Sequence, residues 1–154
     1  MAKRFILIFL VLIVLPMAIF ADDFVPYLSV GMGLGVVKGG PFIVMPKISV
    51  GVLFSNLLHS NITLGLGILD SSSGLRRFIY TDLQLGFPFI GGGVGNAFLR
   101  KHGEEKSRKV TKFTFYVGVP FAYFETHYFK DKEQPYHIGT LLLNLPIPLV
   151  HVDL

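Results

Sequence analysis

The chain has 154 residues, room for one domain, and 51% of them are hydrophobic while 16% are charged, against about 25% charged in soluble domains. The formal charge of +4 includes Lys3 and Arg4 of the first segment. Taking those two from the 14 basic residues leaves 12 against 10 acidic ones, a charge of +2 that does not argue for nucleic acid as a partner. There is no cysteine, which excludes a disulfide framework and a lipid-modified cysteine.

The first segment is a unit of its own. Lys3 and Arg4 precede an apolar run over 5–15, Pro16 breaks it, and Ala18 and Ala21 supply small residues before Asp22 and Asp23. This is the layout of a secretory signal peptide, because the run is 11 residues long where a spanning helix needs about 20. We expect residues 1–21 to be a signal peptide cut between Ala21 and Asp22, and 22–154 to form the mature domain. The alternative is an uncleaved anchor.

Beyond the leader the dominant signal has period two. Leu28, Val30, Met32, Leu34 and Val36 alternate with Ser29, Gly31, Gly33 and Gly35, and 38–41 read as a turn. Ile48, Val50, Val52 and Phe54 alternate with Lys47, Ser49 and Gly51, and Ile62, Leu64, Leu66 and Ile68 with Thr63, Gly65 and Gly67. After 70–74, Leu83, Leu85, Phe87 and Phe89 alternate with Asp82, Gln84, Gly86 and Pro88. The three glycines 91–93 read as a flexible turn and 94–99 as a weaker strand. The charge-dense 100–109 reads as a solvated loop. One strand is expected over 113–123, with Phe113, Phe115, Val117, Val119, Phe121 and Tyr123 on one face, then a polar loop at 130–135. An apolar tail over 136–154 has to be divided near Asn144 to reach eight strands. The alternation, the glycine load and the aromatic bias favour strands over helices.

The two faces decide the class. In a soluble barrel the second face meets water and carries charge, whereas here it is mostly Gly, Ser, Ala and Thr. A closed barrel of about eight strands turns that small-residue face inward, where space is short, and the large apolar face toward lipid. Aromatic residues such as Phe42, Phe78, Tyr80, Phe113 and Tyr128 fall near strand ends, where interfacial girdles are expected.

With its leader, absent cysteine, mature length and small/large alternation, the chain resembles the small bacterial outer-membrane barrels of the OmpX, OmpA and OmpW type. The resemblance lies in pattern, with no diagnostic motif. It implies an up-and-down transmembrane barrel, termini and short turns on the periplasmic side, longer loops outside, and the barrel-assembly machinery as a partner.

Polar residues on inward positions are the first site candidates. A charge facing mid-bilayer lipid costs about 2–4 kcal/mol for a basic residue, so Lys47, Asp82 and Gln84 are assigned to one polar cluster in the lumen, a structural plug rather than a conduction path. Glu125 shares the parity of Phe121 and Tyr123, which puts it beyond the hydrocarbon band or after a bulge. Arg100, Lys101, Lys106, Arg108 and Lys109, extended by Lys112, form an exposed basic loop. As a solvated loop it needs no ligand; the sharper reading is an external patch for anionic sugar or lipid head groups.

No catalytic set emerges. His59 and Ser60 are adjacent, so in a strand they point to opposite faces and cannot pair as base and nucleophile; the stretch reads as a turn. The five histidines lack metal-ligand spacing and read as surface or loop residues. The glycine runs continue into no helix, so no phosphate loop is expected. The expectation is a non-enzymatic outer-membrane barrel, without cofactor or metal, in a structural or surface-interaction role. The rivals are a lipid-modifying barrel enzyme and a soluble periplasmic barrel binding an apolar ligand.

Overall fold

A computed structural model describes residues 24–54, 58–69, 75–87, 89–101, 106–119, 121–131 and 135–149. The expected cleavage site at Ala21 and Asp22 lies outside them. The described residues form eight strands and no helix: β1 (Phe24–Val37), β2 (Phe42–Phe54), β3 (His59–Leu69), β4 (Leu75–Phe87), β5 (Ile90–Lys101), β6 (Arg108–Val119), β7 (Ala122–Lys130) and β8 (Tyr136–Pro148). Each pairs antiparallel with the next and β8 returns to β1, so the sheet is a closed barrel without edges.

The register fixes the shape. One rung runs from Tyr27 through Gly51, Asn61, Gln84, Gly93, Thr114, His127 and Ile138 and comes back to β1 at Val37. The return is ten residues further along the strand (37 − 27). Ten residues rise about 33 Å while eight strands span about 38 Å, which sets a strand tilt of about 40°.

Inward positions alternate large and small across neighbouring strands. Tyr80 stands opposite Gly65 and Phe78 opposite Gly67, and each ring lies across its glycine where a Cβ would stand. The inward glycines thus accommodate neighbouring rings, and glycine's weakness as a strand former is offset by that packing. Prolines sit where a missing N–H is tolerated. Pro146 and Pro148 pair with β1 but lie beyond the last β7 partner, Leu143, and the β2–β3 ladder skips Met45 and Pro46.

The chain turns inside the expected 113–123 strand. Val119 pairs with Ala122, leaving a two-residue turn in which Phe121 holds φ 88°, a left-handed value that side chains avoid. Its carbonyl accepts the Asn144 N–H at 2.9 Å. The turn swaps parity: odd residues face outward on β6, but on β7 Tyr123, Glu125 and His127 face inward while Phe124 faces out. Glu125 therefore lies in the lumen, with no bulge. The seventh strand is β7, and β8 runs undivided through Asn144. Glycines 91–93 are part of β5, and His59 opens β3 instead of making a turn.

One end of the barrel carries the connections 38–41, 70–74, 102–107 and 131–135. The other carries 55–58 and two-residue turns after Phe87 and Val119. Phe24 and Leu149 lie at the short-turn end, where the Leu149 N–H donates to the Pro26 carbonyl at 2.9 Å.

Candidate functional site

The lumen is built in three layers. At the loop end Ile43, Met45, Leu69, Phe78, Tyr80, Leu99, Phe129 and Ile138 pack into one apolar plug, in which the Phe78 and Phe129 rings meet edge-on at 4.9 Å. Phe78 and Tyr80 thus belong to the core and not to an interfacial girdle. Of the aromatics expected there, Phe42 and Phe113 face outward and exposed.

Beneath the plug lies a layer of four buried charges. Asp82 on β4 and Lys112 on β6 flank Gly95 on one rung, so their side chains meet across a position with no side chain of its own. Lys112 Nζ donates to Asp82 Oδ2 and, at 2.6 Å, to Thr114 Oγ1, which donates onward to the same Asp82 oxygen at 2.8 Å. The ammonium also lies 4.0 Å from the Tyr80 ring centre, within cation–π range. Lys47 on β2 stands between Gly31 and Gly65 in the register and crosses the lumen to donate to Glu125 Oε1 of β7 at 2.6 Å. His127 links the pairs: Nε2 is 3.5 Å from Glu125 Oε2 and 3.3 Å from Thr140 Oγ1, and Nδ1 is 3.4 Å from Thr114 Oγ1.

Two cations and two carboxylates make a neutral layer. Each buried charge meets its counterion, which keeps desolvation from being ruinous.

The third layer is a cup of about 490 Å³ opening toward the short-turn end. Tyr27, Tyr116, Tyr123, His59, Asn61 and Asn144 supply its polar groups and Leu53, Leu142 and Pro146 much of its apolar wall. His59 Nε2 and the Tyr116 hydroxyl are 2.5 Å apart, and Asn61 Nδ2 donates to the Tyr27 hydroxyl at 3.2 Å. Thr63 donates its one hydroxyl proton to Asn61 Oδ1 at 2.9 Å, so Ser49, 2.7 Å from Thr63, must be the donor to it. The cup ends blind on the Lys47–Glu125 pair, because the charged layer and the plug fill the lumen above it.

Lys47, Asp82 and Gln84 all point inward and are buried. Lys47 and Asp82 do not pair with each other; Glu125 and Lys112 are their partners, joined into one layer through His127 and Thr114. Gln84 lines the cup below that layer. The expected basic loop is divided: Arg100 and Lys101 end β5, Arg108 and Lys109 begin β6, and Lys106 is exposed between them. Arg108 approaches Asp131 at 4.0 Å. Lys112 is no part of a surface patch, since its exposure is 0%.

Glu125, Lys112 and His127 complete the layer, though the sequence pattern places none of them in the lumen cluster. The parity of Lys112 with Thr114 and Tyr116 was the available signal for the second. His59 and Ser60 sit on opposite faces of β3, and His127 is a lumen residue rather than a surface one. Among the described residues no group of three His, Asp or Glu could hold a metal ion.

No family model matches the chain, and no curated protein or solved structure matches it either.

Proposed function

We propose that this chain is an exported protein whose barrel resides in a bacterial outer membrane, as a non-enzymatic barrel with a structural or surface-interaction role. The observation that carries the reading is an inversion of polarity. Asp82, Lys112, Lys47 and Glu125 lie inside, while Val30, Met32, Leu64, Ile79, Phe115 and Leu143 stand on the outer wall with exposures of 50–61%. Such a wall in water would present an apolar surface on all sides; in lipid it is the expected surface.

Dimensions support the same reading. On β4 the outward positions run from Arg77 to Phe87, ten residue steps (87 − 77), about 33 Å along a strand and, at a tilt of about 40°, about 25 Å along the barrel axis, the height of the apolar band in such barrels. The leader expected over 1–21 would supply export, the assembly machinery insertion, and outer-membrane lipid the surroundings. The filled lumen supports a sealed barrel in preference to a conducting one. A non-enzymatic role is supported by the enclosure of His127 with Thr114, Thr140, Asp82 and Glu125, the hydroxyl, imidazole and carboxylate groups of the layer, all of them buried.

Cell fractionation with a gel-mobility comparison tests the proposal. The protein should pellet with outer membranes, resist extraction by urea, and migrate differently before and after boiling. Recovery in the soluble periplasmic fraction with no heat-dependent mobility would contradict it. That second outcome would favour a soluble ligand-binding barrel, for which the cup is the supporting observation: its volume lies within the range of small-molecule sites, and its wall combines apolar surface with neutral polar groups and the Lys47–Glu125 pair at its floor.

A further inference from the structure

The strand charges that face outward are all basic, and they follow a line. Arg77 on β4 and Arg100 on β5 stand opposite each other in register. On β6 the corresponding outward cation is Lys109, one rung down beside Phe98, and on β7 it is Lys130, a further rung down beside Thr111. Another rung brings His137 on β8, opposite Tyr128, and the N–H of Lys38 donates to the His137 carbonyl at 2.9 Å. From β4 to β1 the line descends three rungs, six residues, over five strand steps. That is about 20 Å along the strands for about 24 Å across them, the slope set by a tilt of about 40°. The cations of β4 to β7 therefore share one height, with Lys38 after β1 at the end of the same line, at the loop-side border of the apolar wall.

Both acidic residues that lie within described strands, Asp82 and Glu125, face the lumen. Within the described strands the outer face carries no acidic residue. The row so placed complements anionic charge lying in the plane of the interface.

We infer that this belt binds the anionic head groups of phospholipids in the leaflet at the loop end. The inference rests on the membrane reading above. A lipid is the matching occupant because the cations stand on the outer wall next to Ile79, Phe98 and Phe113, where a ligand must have its charge level with the belt and its apolar part against the wall. Long Lys and Arg stems lie along such a wall while their charged ends reach the head-group level.

The test places the full chain in vesicles of phosphatidylcholine and phosphatidylglycerol in equal parts and reads by native mass spectrometry which lipid stays bound. The wild type should retain phosphatidylglycerol preferentially, and each of Arg77→Gln, Lys109→Gln and Lys130→Gln should reduce that preference by roughly fivefold or less, the worth of one cation near an anionic surface. The triple variant should retain both lipids alike. Should the triple variant fail to show heat-dependent mobility, the three single variants carry the comparison. An unchanged preference in the variants, or none in the wild type, overturns the inference while leaving the membrane reading intact. Failure of the chain to insert into either vesicle would sink the membrane reading and this inference together.

Discussion

Lys47 Nζ lies 2.6 Å from Glu125 Oε1, so two residues 78 positions apart in the chain close the lumen from opposite sides of the β1–β8 seam. The second pair, Lys112 with Asp82, is set beside it, and His127 stands between the two. Four charges in a narrow barrel are tolerable only as a matched set, and removing one member exposes the cost of the rest.

Lys47→Met should therefore destabilise the barrel, by up to about 3–5 kcal/mol for a fully buried partner left unpaired. Hydration from the cup should soften this relative to Lys112→Met, whose site is sealed under the plug. In urea unfolding from vesicles, Lys47→Met with Glu125→Gln should cost less than the sum of the single changes, and Lys112→Met with Asp82→Leu likewise. Lys47 and Asp82, which do not touch, should couple more weakly than either true pair. Equal coupling across all combinations would mean that the pairing is diffuse.

Gly65→Ala should destabilise through overpacking, by about 1–3 kcal/mol, because the new methyl falls on the Tyr80 ring. Gly139→Ala is the matched control: its Cβ would meet Phe124 at an ordinary 3.5 Å. Equal urea midpoints for the two variants would show that Tyr80 does not lie where the register puts it.

Phe121 offers a test of the turn that divides β6 from β7. At φ 88° glycine is at ease and alanine strained, so Phe121→Gly should be more stable than Phe121→Ala by about 1 kcal/mol. Elsewhere in a strand the order is reversed. Alanine equal to or better than glycine would argue for an uninterrupted strand through 113–123.

The barrel itself was legible because period-two alternation survives in β1, β3 and β4 as sequence, and because the glycines mark which face is crowded. Its details were not. A two-residue turn keeps the odd numbering of Phe121 and Tyr123 intact while exchanging the faces, so Glu125 looked lipid-facing and the partner of Lys47 was hidden. Lys112 was legible by parity but was drawn into the surface patch by the charged residues just before it. Glycines 91–93 looked like a turn because composition alone cannot show that Gly91 lies under the Tyr116 hydroxyl and Gly93 against Gln84. The pairing of Lys47 with Glu125 depends on closure between β8 and β1, a contact that no local pattern encodes.

The central claim, that the outer wall faces lipid, is tested most directly by placing single cysteines in the cysteine-free chain at Leu64, Phe115 and Lys106 and labelling the reconstituted protein. Leu64 and Phe115 stand half exposed on the outer wall and Lys106 on a loop. A water-soluble maleimide should label the cysteine at 106 and spare those at 64 and 115, which should react only with a membrane-soluble reagent. Aqueous labelling at 64 and 115 as ready as at 106 would contradict the account.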